Sequence, residues 1–425
     1  MRIVRVANFV SASSGGLRTA LAALGAGYVA AGHEVTLVVP GAAPSTRDTP
    51  QGRVVTVPGP LVPGAGGYRL ILARRSLRRL LAELEPDRLE VSDRTTLRWT
   101  GAWARANGVR SMMVSHESLS GLLRLFAPPG TPVRLADHLN RATAAAFDVV
   151  ACTTGWAAGE FRRLGVPNLV QIPLGVDLDA FAPDRYDPAL RALLARPDET
   201  LLVHCGRLSP EKRVEDSIAA LAELRRRGVP AVLAVAGDGP RRRALEARAS
   251  GLPVRFLGYL SDRGLVARLL ATADVALAPG PVETFGLAAL EALAGGTPVV
   301  VSRHSALPEV VGEAGARADR GGPSYADAVQ DLLIRDEPAR RALARRRAER
   351  FGWPVAVAGF LRAHAAEPAP ATEATDATDA TDGTDATDAT DATETTDAAE
   401  AADSVTKPAS APDPAVRRVP VNGTP

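Results

Sequence analysis

The sequence alternates short apolar runs with amphipathic stretches, and this alternation limits the possible folds more than any other feature. RIVRVANFV is typical of a buried strand, LRTALAALGAGYVAAG of a helix that ends at Gly32, and HEVTLVVPG of a second strand. A strand, a helix and a strand in the first 45 residues indicate a βαβ unit, which requires a parallel sheet and a right-handed crossover. The pattern recurs as far as the run PVVVS, so the sequence predicts an α/β protein.

Proline and glycine interrupt the alternation near Ile172–Phe181, and a second series of strands and helices follows. The sequence therefore predicts two doubly wound domains, one over residues 1–173 and one over residues 174–348. We expect a last helix, within residues 349–365, to cross back to the first domain. Ligands of such sheets bind outside the carboxyl ends of the strands, so the cleft between the two domains is the expected site.

Charge is unevenly distributed along the chain. Residues 366–425 hold 13 acidic and 3 basic residues, whereas the preceding 365 residues hold 47 basic and 35 acidic ones. The Thr, Asp and Ala repeats of residues 366–425 bury too little apolar surface to offset the entropy lost on ordering, so this tail is predicted to be disordered. The rest of the chain is predicted to form a basic globular body.

Composition excludes several classes of protein. The chain has no run of about 18 apolar residues, so we expect no membrane-spanning helix, and the first residues do not resemble a signal peptide. Cys152 and Cys205 lie in apolar runs and are expected to be buried thiols of a reducing cytoplasm. Because the six histidines lack the paired spacing that zinc sites use, we expect no metal site. We also expect no nucleic-acid partner.

Glycine and basic residues stand at the ends of two predicted strands. Gly15 and Gly16 precede the first helix, where free backbone N–H groups suit a phosphate, although a tight turn explains them equally well. Arg207 and Lys212, in GRLSPEKR, follow the strand LLVHC. A guanidinium and an ammonium group together suit a diphosphate, and a solvated basic turn is the alternative.

Two glutamates occur eight residues apart in GPVETFGLAALEALAGG. Glu283 is predicted in a loop and Glu291 on the following helix, which Thr284–Leu287 are expected to open with unpaired N–H groups. Burying a glutamate in so apolar a helix is costly unless the carboxylate has a hydrogen-bonding partner. Sugar hydroxyls would supply that partner, and an exposed helix face is the alternative.

These motifs resemble a known family. GRLSPEK followed by E-x7-E, on two facing nucleotide-binding-type domains, is similar to the retaining GT-B glycosyltransferases of family 4, over about residues 1–365. The resemblance implies that Gly15, Gly16, Arg207 and Lys212 hold the diphosphate of a nucleotide-sugar donor. The implied fold is GT-B, with two facing Rossmann-like domains.

The same resemblance implies roles for the glutamates and the loop between them. Glu283 would accept hydrogen bonds from the donor sugar, and Glu291 from the ribose. The residues at the predicted helix start would bind the donor, largely through their backbone N–H groups. They are Thr284, Phe285, Gly286 and Leu287.

Two further segments match the family. Gly258–Asp262 matches its base-binding stretch, which implies donor contacts from Leu260 and Asp262. The Asp262 carboxylate favours a guanine edge and hence a GDP-sugar, whereas a cap on the following helix is the alternative. His116, in MMVSHES, matches the family's active-site histidine beside the transferred sugar, although a lone histidine at a strand end also has structural uses.

A narrower resemblance concerns the acceptor. VANFVSASSGGLRTAL, LEVSDRTTLRWTGAWARANGV and VSHES are similar to the actinobacterial mannosyltransferases that extend phosphatidylinositol dimannoside. This resemblance implies GDP-mannose as donor and a glycolipid acceptor, and Arg18 is our candidate contact for an acceptor phosphate. The protein would then act in the cytoplasm, at the inner face of the plasma membrane.

A lipid acceptor requires a membrane-docking surface. Residues 69–85 predict a basic amphipathic helix of the kind that lies on anionic lipid, and an ordinary crossover helix with a charged outer face is the alternative. The arginines of this segment are Arg69, Arg74, Arg75, Arg78 and Arg79.

The family resemblance implies transfer of a hexose to a hydroxyl with retention of configuration and without a metal or other cofactor. The implied catalytic residues are His116, Glu283, Arg207 and Lys212. Three alternatives are a UDP-sugar-dependent transferase with another acceptor, a non-catalytic nucleotide-sugar sensor, and a nicotinamide-dependent oxidoreductase, for which the glycine fingerprint is missing.

Overall fold

The computed structural model describes residues 1–10, 15–62, 67–116, 118–121 and 131–365. They belong to a compact unit that spans Met1–Ala369. The acidic tail that the sequence predicts to be disordered, residues 366–425, lies outside the described residues. Two largely parallel sheets connected by helices form the unit, which confirms the predicted α/β architecture. We call residues 1–173 the N-terminal half and residues 174–365 the C-terminal half.

The N-terminal half contains an eight-stranded sheet. Its strands are β1 (Arg2–Val6), β2 (Glu34–Gly41), β3 (Ser45–Thr49), β4 (Gly52–Pro58), β5 (Arg88–Val91), β6 (Arg110–Ser115), β7 (Val149–Cys152) and β8 (Leu169–Gln171). They are arranged in the order β3–β4–β2–β1–β5–β6–β7–β8. Neighbouring strands are parallel except for β3 and β4, which pair antiparallel at the edge. The sequence analysis does not predict β3, because the segment STRDT is polar and almost wholly exposed.

The C-terminal half contains a six-stranded sheet in which every neighbouring pair is parallel. Its strands are β9 (Thr200–Cys205), β10 (Ala231–Ala236), β11 (Val254–Gly258), β12 (Val275–Ala278), β13 (Val299–Ser302) and β14 (Gly315–Ala318). They are arranged in the order β11–β10–β9–β12–β13–β14. β10 and β13 are buried along their whole length, as expected for central strands that are covered on both faces.

Helices connect the strands of both sheets. In the N-terminal half they are α1 (Gly16–Ala30), α2 (Arg74–Leu84), α3 (Trp99–Ala106), α4 (Thr131–Ala146) and α5 (Gly155–Arg162). In the C-terminal half they are α6 (Pro188–Leu194), α7 (Val214–Arg226), α8 (Arg242–Arg248), α9 (Arg263–Thr272), α10 (Leu287–Ala294), α11 (Leu307–Val311), α12 (Gly322–Leu333), α13 (Glu337–Glu349) and α14 (Trp353–Ala365).

The basic helix is shorter than predicted. The sequence pattern places it over residues 69–85, but α2 spans Arg74–Leu84. Arg69 therefore lies outside the helix, where its guanidinium donates a hydrogen bond of 2.7 Å to the Gly59 carbonyl. Leu77 and Leu81 are fully buried in the core of the N-terminal half. The apolar face of α2 thus packs inward, which contradicts the expectation of an apolar face available to lipid.

The last helix packs on the N-terminal half. α14 lies against α1, so closely that a Cβ added at Gly27 would come within 2.3 Å of Val357 Cγ2. His364 Nε2 lies 3.2 Å from a Glu90 carboxylate oxygen, and both side chains are buried. The last described helix, which follows the second sheet in the chain, therefore packs on the N-terminal half.

Among the residues that the structure describes, we find no helix that could span a lipid bilayer.

Candidate active site

Loops that follow strands of the two sheets contact each other. Thr284 follows β12, and its hydroxyl donates a hydrogen bond of 2.6 Å to the carbonyl of His116, which follows β6. The Thr284 carbonyl in turn accepts from the hydroxyls of Thr153, at 3.2 Å, and Thr154, at 2.9 Å, which follow β7. The carboxyl ends of both sheets thus face one gap, where ligands of such folds bind.

Helix α10 begins later than predicted. It spans Leu287–Ala294, so the expectation that Thr284 opens the helix is wrong, and the Thr284 side chain joins the two halves instead. Gly286 precedes the helix at φ 76°, and a Cβ there would lie 2.2 Å from Leu307 Cδ2. Only glycine meets both conditions. The Phe285 side chain is buried against Phe351, so only its backbone is available to a ligand.

The N-termini of α1 and α10 lie next to each other across the gap. Gly16 is the first residue of α1, and a Cβ added to it would lie 3.9 Å from Leu287 Cδ1, in the first residue of α10. Gly15 precedes α1, and a Cβ added to it would meet no other atom within 4 Å. The first N–H groups of a helix have no acceptor within that helix and attract anions. Two helix N-termini therefore approach one small region.

The two predicted diphosphate cations face the N-terminal half. The Arg207 guanidinium carbon lies 4.9 Å from the centre of the Tyr68 ring. The Lys212 ammonium forms an ion pair with Glu283, so loops following β9 and β12 meet. Tyr68 also acts electrostatically on Lys212. The structure thus pairs Lys212 with Glu283 and places Arg207 against Tyr68, a residue that the sequence patterns did not indicate.

The Lys212–Glu283 pair governs the charge of this lysine. Burial by itself lowers the pKa of Lys212, but the Glu283 carboxylate outweighs burial and holds the pKa above its ordinary value. Lys212 is therefore a cation throughout the neutral range. Glu283 occupies the position where the resemblance implies a sugar-binding carboxylate, and in the structure it pairs with the neighbouring ammonium.

Glu291 is buried as predicted, but its partner is a protein cation. The Arg263 guanidinium donates to a Glu291 carboxylate oxygen at 2.5 Å and lies 4.8 Å above the Phe181 ring. Burial raises the pKa of Glu291, although the Arg263 charge opposes that effect. The hydrogen-bonding partner that burial of Glu291 requires is therefore supplied within the protein by Arg263 of α9. Arg263 is a second residue that the sequence analysis missed.

The predicted base-binding stretch begins at the last residue of β11, Gly258, and ends at a helix cap, Asp262. Asp262 accepts a hydrogen bond of 2.8 Å from the Gly264 N–H and caps α9, so the structure supports the alternative reading of this residue. Leu260 is half-buried and packs against the main core. Arg18 of α1 donates to the Tyr259 hydroxyl at 3.4 Å, so the candidate acceptor contact reaches the C-terminal half.

His116 lies beside the contact between the halves. Its Nε2 is 3.3 Å from the Ser92 hydroxyl, and its carbonyl accepts from Thr284. Burial lowers the pKa of His116 to about 4, so the imidazole is neutral near pH 7. A neutral imidazole can donate or accept one hydrogen bond but carries no charge.

The remaining predictions concern the arginines of α2, the two cysteines and metal binding. Arg74, Arg75, Arg78 and Arg79 are exposed on α2. Burial raises the pKa of both cysteine thiols to about 12, although Cys205 is only partly buried. Within the part of the chain that the structure describes, no group of three His, Cys, Asp or Glu side chains is placed to hold a metal ion.

Comparison with known proteins relates both halves to one group of enzymes. The family described as glycosyl transferases group 1 matches residues 199–335, and the glycosyl transferase 4-like domain matches residues 15–175. The chain is 52% identical over 363 residues to the GDP-mannose-dependent alpha-(1-6)-phosphatidylinositol dimannoside mannosyltransferase of Mycobacterium tuberculosis strain H37Ra. That alignment covers 85% of this chain and 95% of the relative. A glycogen synthase of the same species is 40% identical over 44% of this chain and 46% of its own length.

Solved structures show the same fold at low identity. Sucrose-phosphate synthase from Thermosynechococcus elongatus superposes with a TM-score of 0.71 at 21% identity, over 85% of this chain and 98% of that one. The Anabaena protein HepE, in complex with UDP, superposes with a TM-score of 0.66 at 18% identity, over 85% and 99% of the two chains.

Proposed function

The chain belongs to the glycosyl transferases group 1, with a glycosyl transferase 4-like domain in its N-terminal half, and from this membership we propose that it transfers mannose from GDP-mannose to a hydroxyl of a phosphatidylinositol mannoside. Identity of 52% to a relative with that activity in its name supports this donor and acceptor. The structural observation that carries the proposal is the position of Arg207, which meets Tyr68 across the gap, and of Lys212, which pairs with Glu283.

The residues of the gap suit the loss of a nucleotide diphosphate. When the bond between the sugar carbon C1 and the phosphate oxygen breaks, negative charge grows on the diphosphate. The Arg207 guanidinium, the Lys212 ammonium and the N–H groups at the start of α10 stabilise that charge. Fixed donors of this kind are each typically worth a factor of about 10²–10³ in rate. Catalysis then needs no metal ion, because protein cations take its place.

The acceptor hydroxyl attacks C1 on the face from which the diphosphate leaves, so the anomeric configuration is retained. Its oxygen forms the new bond to C1, and its proton passes to the departing phosphate. His116 is neutral near pH 7, and its role here is to hydrogen-bond the transferred sugar without adding a charge beside the reacting carbon.

The Lys212–Glu283 pair prepares both side chains for the donor. In the proposed complex the diphosphate takes over the Lys212 ammonium, and the released Glu283 carboxylate accepts from the sugar hydroxyls. Gly15 and Gly16 leave room for the phosphates at the start of α1. Glu291, held by Arg263, accepts from the ribose. The pair thus exchanges an internal contact for two contacts with the substrate.

The acceptor is a membrane glycolipid in this proposal, so the enzyme works at the membrane surface. Arg74, Arg75, Arg78 and Arg79 form an exposed basic face, which we call the α2 basic face. Because Leu77 and Leu81 are buried in the core, α2 attaches through charge rather than by inserting an apolar face. Leu72, 52% exposed beside the helix, adds one apolar contact. We infer peripheral association with the anionic inner face of the plasma membrane.

A donor screen tests the proposed function. Purified enzyme is incubated with GDP-mannose, UDP-glucose or NAD, together with a membrane lipid extract, and the lipids are analysed by mass spectrometry. We expect a mass increase of one hexose on a phosphatidylinositol mannoside, with GDP-mannose only. Transfer from UDP-glucose instead would favour the UDP-sugar alternative. Failure to transfer any sugar to a lipid would refute the proposed acceptor.

A further inference from the structure

A buried carboxylate outside the donor site holds the segment that follows His116. Glu160, on α5, is only 8% exposed. Its Oε1 accepts from the Ser118 hydroxyl at 2.5 Å, from the Ser120 N–H at 3.0 Å and from the Ser120 hydroxyl. Its Oε2 accepts from the Leu119 N–H at 3.2 Å. One carboxylate therefore binds three consecutive residues, and we call residues 118–121 the 118–121 segment.

Two neighbouring side chains, Arg94 and Asn140, keep Glu160 charged and in place. The Arg94 guanidinium lies 3.6 Å from Oε2, and the Asn140 amide donates to the same oxygen at 3.3 Å. Burial by itself raises the pKa of Glu160, but Arg94 and the hydrogen bonds from the two serines outweigh burial and leave the pKa below its ordinary value. An ionised, buried carboxylate with this many donors is a strong and rigid anchor.

The 118–121 segment contacts the loop that carries Glu283 and Thr284, which we call the donor loop. A Cβ added at Gly121 would lie 3.1 Å from Val282 Cγ1, next to Glu283. The same helix α5 contacts the donor loop at its other end, where Thr154 caps the helix and its hydroxyl donates to the Thr284 carbonyl. Helix α5 thus connects the segment after His116 with the loop at Thr284.

We propose that Glu160 is a positioning residue for the acceptor, because it fixes the 118–121 segment between His116 and the donor loop. This inference rests on the proposed function. Arg207 and Lys212, which bind the nucleotide diphosphate, belong to the C-terminal half, whereas Glu160 and the segment belong to the N-terminal half. Loss of Glu160 should therefore impair use of the acceptor and leave nucleotide binding intact.

The test uses Glu160→Gln, which keeps the size of the side chain but replaces one accepting oxygen with an amide that cannot accept from the N–H groups of the segment. Arg163→Ala is the matched control, because it removes a partly exposed ion pair with Asp137 immediately after α5 and leaves the hydrogen-bond partners of Glu160 in place. Hydrogen exchange is measured on the full-length protein at the amides of Leu119 and Ser120. Steady-state kinetics with GDP-mannose and phosphatidylinositol dimannoside micelles, and calorimetry with GDP, complete the test.

We expect Glu160→Gln to speed exchange at the two amides, to raise the acceptor KM about tenfold or more and to lower kcat, as losing a charge-assisted hydrogen bond at a buried site predicts. The Kd for GDP should stay within about twofold of wild type, and Arg163→Ala should behave as wild type. An unchanged acceptor KM, or a GDP Kd that weakens as much as the acceptor KM, would overturn the proposal. If wild-type enzyme transfers no mannose, the proposed function fails, and the exchange data still decide whether Glu160 holds the segment.

Discussion

Tyr68 of the N-terminal half lies face-on to Arg207 of the C-terminal half, with 4.9 Å between the guanidinium carbon and the ring centre. Phe9 supports the ring edge-on, with the ring centres 6.0 Å apart. A guanidinium over an aromatic face is held by the electrostatics of the ring, typically by about 0.5–2 kcal/mol. The N-terminal half thus orients a cation of the C-terminal half.

Replacing the Tyr68 ring should weaken catalysis, whereas removing only its hydroxyl should not. We expect Tyr68→Ala to lower kcat/KM for GDP-mannose by about threefold to thirtyfold, the range that a lost cation–π contact predicts, and Tyr68→Phe to stay near wild type. Tyr186→Ala, at an exposed tyrosine, is the control. Equal losses in the Phe and Ala variants would mean that the hydroxyl, and not the ring, is responsible.

Lys212 should be indispensable for turnover. We expect Lys212→Met to lower kcat by about 10²–10³, because a fixed charge opposite the leaving diphosphate is lost. Arg243→Met, at an exposed position on α8, should leave kcat unchanged. Wild-type activity should be the same with and without EDTA in a discontinuous mannose-transfer assay. Activity that EDTA abolishes and Mg²⁺ or Mn²⁺ restores would contradict the assignment of the protein cations.

Glu309 should control how firmly the halves stay together. Its carboxylate accepts from the N–H groups of Gly155, at 2.8 Å, and Trp156, at 3.1 Å, at the start of α5 in the other half. Removing a side-chain cap from a helix N-terminus costs about 1 kcal/mol. We expect Glu309→Ala to lower the free energy of unfolding in urea by that amount and to increase the radius of gyration in solution scattering.

Glu313→Ala is the control for the contact between Glu309 and α5. Glu313 is a nearby exposed glutamate, and its backbone carbonyl, rather than its side chain, accepts a hydrogen bond from Arg335. If the scattering curves of both variants match wild type, Glu309 does not hold the halves together.

The α2 basic face should be required for membrane binding. An arginine near an anionic surface contributes about 1 kcal/mol, so reversing Arg74, Arg75, Arg78 and Arg79 to glutamate should abolish sedimentation with phosphatidylglycerol vesicles. Binding to phosphatidylcholine vesicles should be weak for both proteins. The control reverses four exposed arginines of the C-terminal half. They are Arg241, Arg243, Arg346 and Arg350. Equal loss in both variants would point to net charge rather than to this face.

Acid should destabilise the fold through His204. This side chain is 3% exposed, its Nδ1 lies 3.0 Å from the Ser217 hydroxyl, and burial, aided by the Lys212 charge, lowers its pKa to about 4. The unfolded chain, with an ordinary pKa near 6.5, binds the proton more tightly between about pH 6.5 and pH 4. The stability from this group is therefore complete above pH 6.5 and decreases as the pH falls toward 4.

We expect His204 to account for about 2 kcal/mol of the loss in unfolding free energy between pH 7 and pH 5. Urea denaturation at both pH values measures this loss. The variant His204→Gln, which can still hydrogen-bond Ser217 but does not titrate, should show a correspondingly smaller difference. Identical pH dependence in the variant and wild type would show that His204 is not the group responsible.

Local chemistry explains why much of the site could be predicted. Arg207 and Lys212 stand directly after a strand, and His116 after another, and the carboxyl ends of parallel strands share one edge of a sheet. Glu283 follows a third such strand. For these residues, their position directly after a strand was enough to predict that they lie near the gap, because the strand ends of both sheets face it.

Other parts of the site depend on contacts between residues far apart in the chain. Tyr68 stands at the start of a stretch with helical spacing, and Glu160 is one glutamate of a helix, so no local pattern marks either as a site residue. Arg263 pairs with Glu291 from a different helix, which the apolar pattern around Glu291 does not reveal. Gly286 precedes α10 at a positive φ, and the side chain that would clash with a Cβ there belongs to Leu307, which is a neighbour only in space.

The sequence by itself determined the α/β class, the two sheets and the strand ends that carry the cations, because hydrophobic periodicity and chain direction are local properties. Only the tertiary structure decided which charges neutralise one another, which face of α2 is exposed and which side chains of one half meet the other. Those relations depend on distances between elements, and no pattern along the chain encodes a distance across the gap.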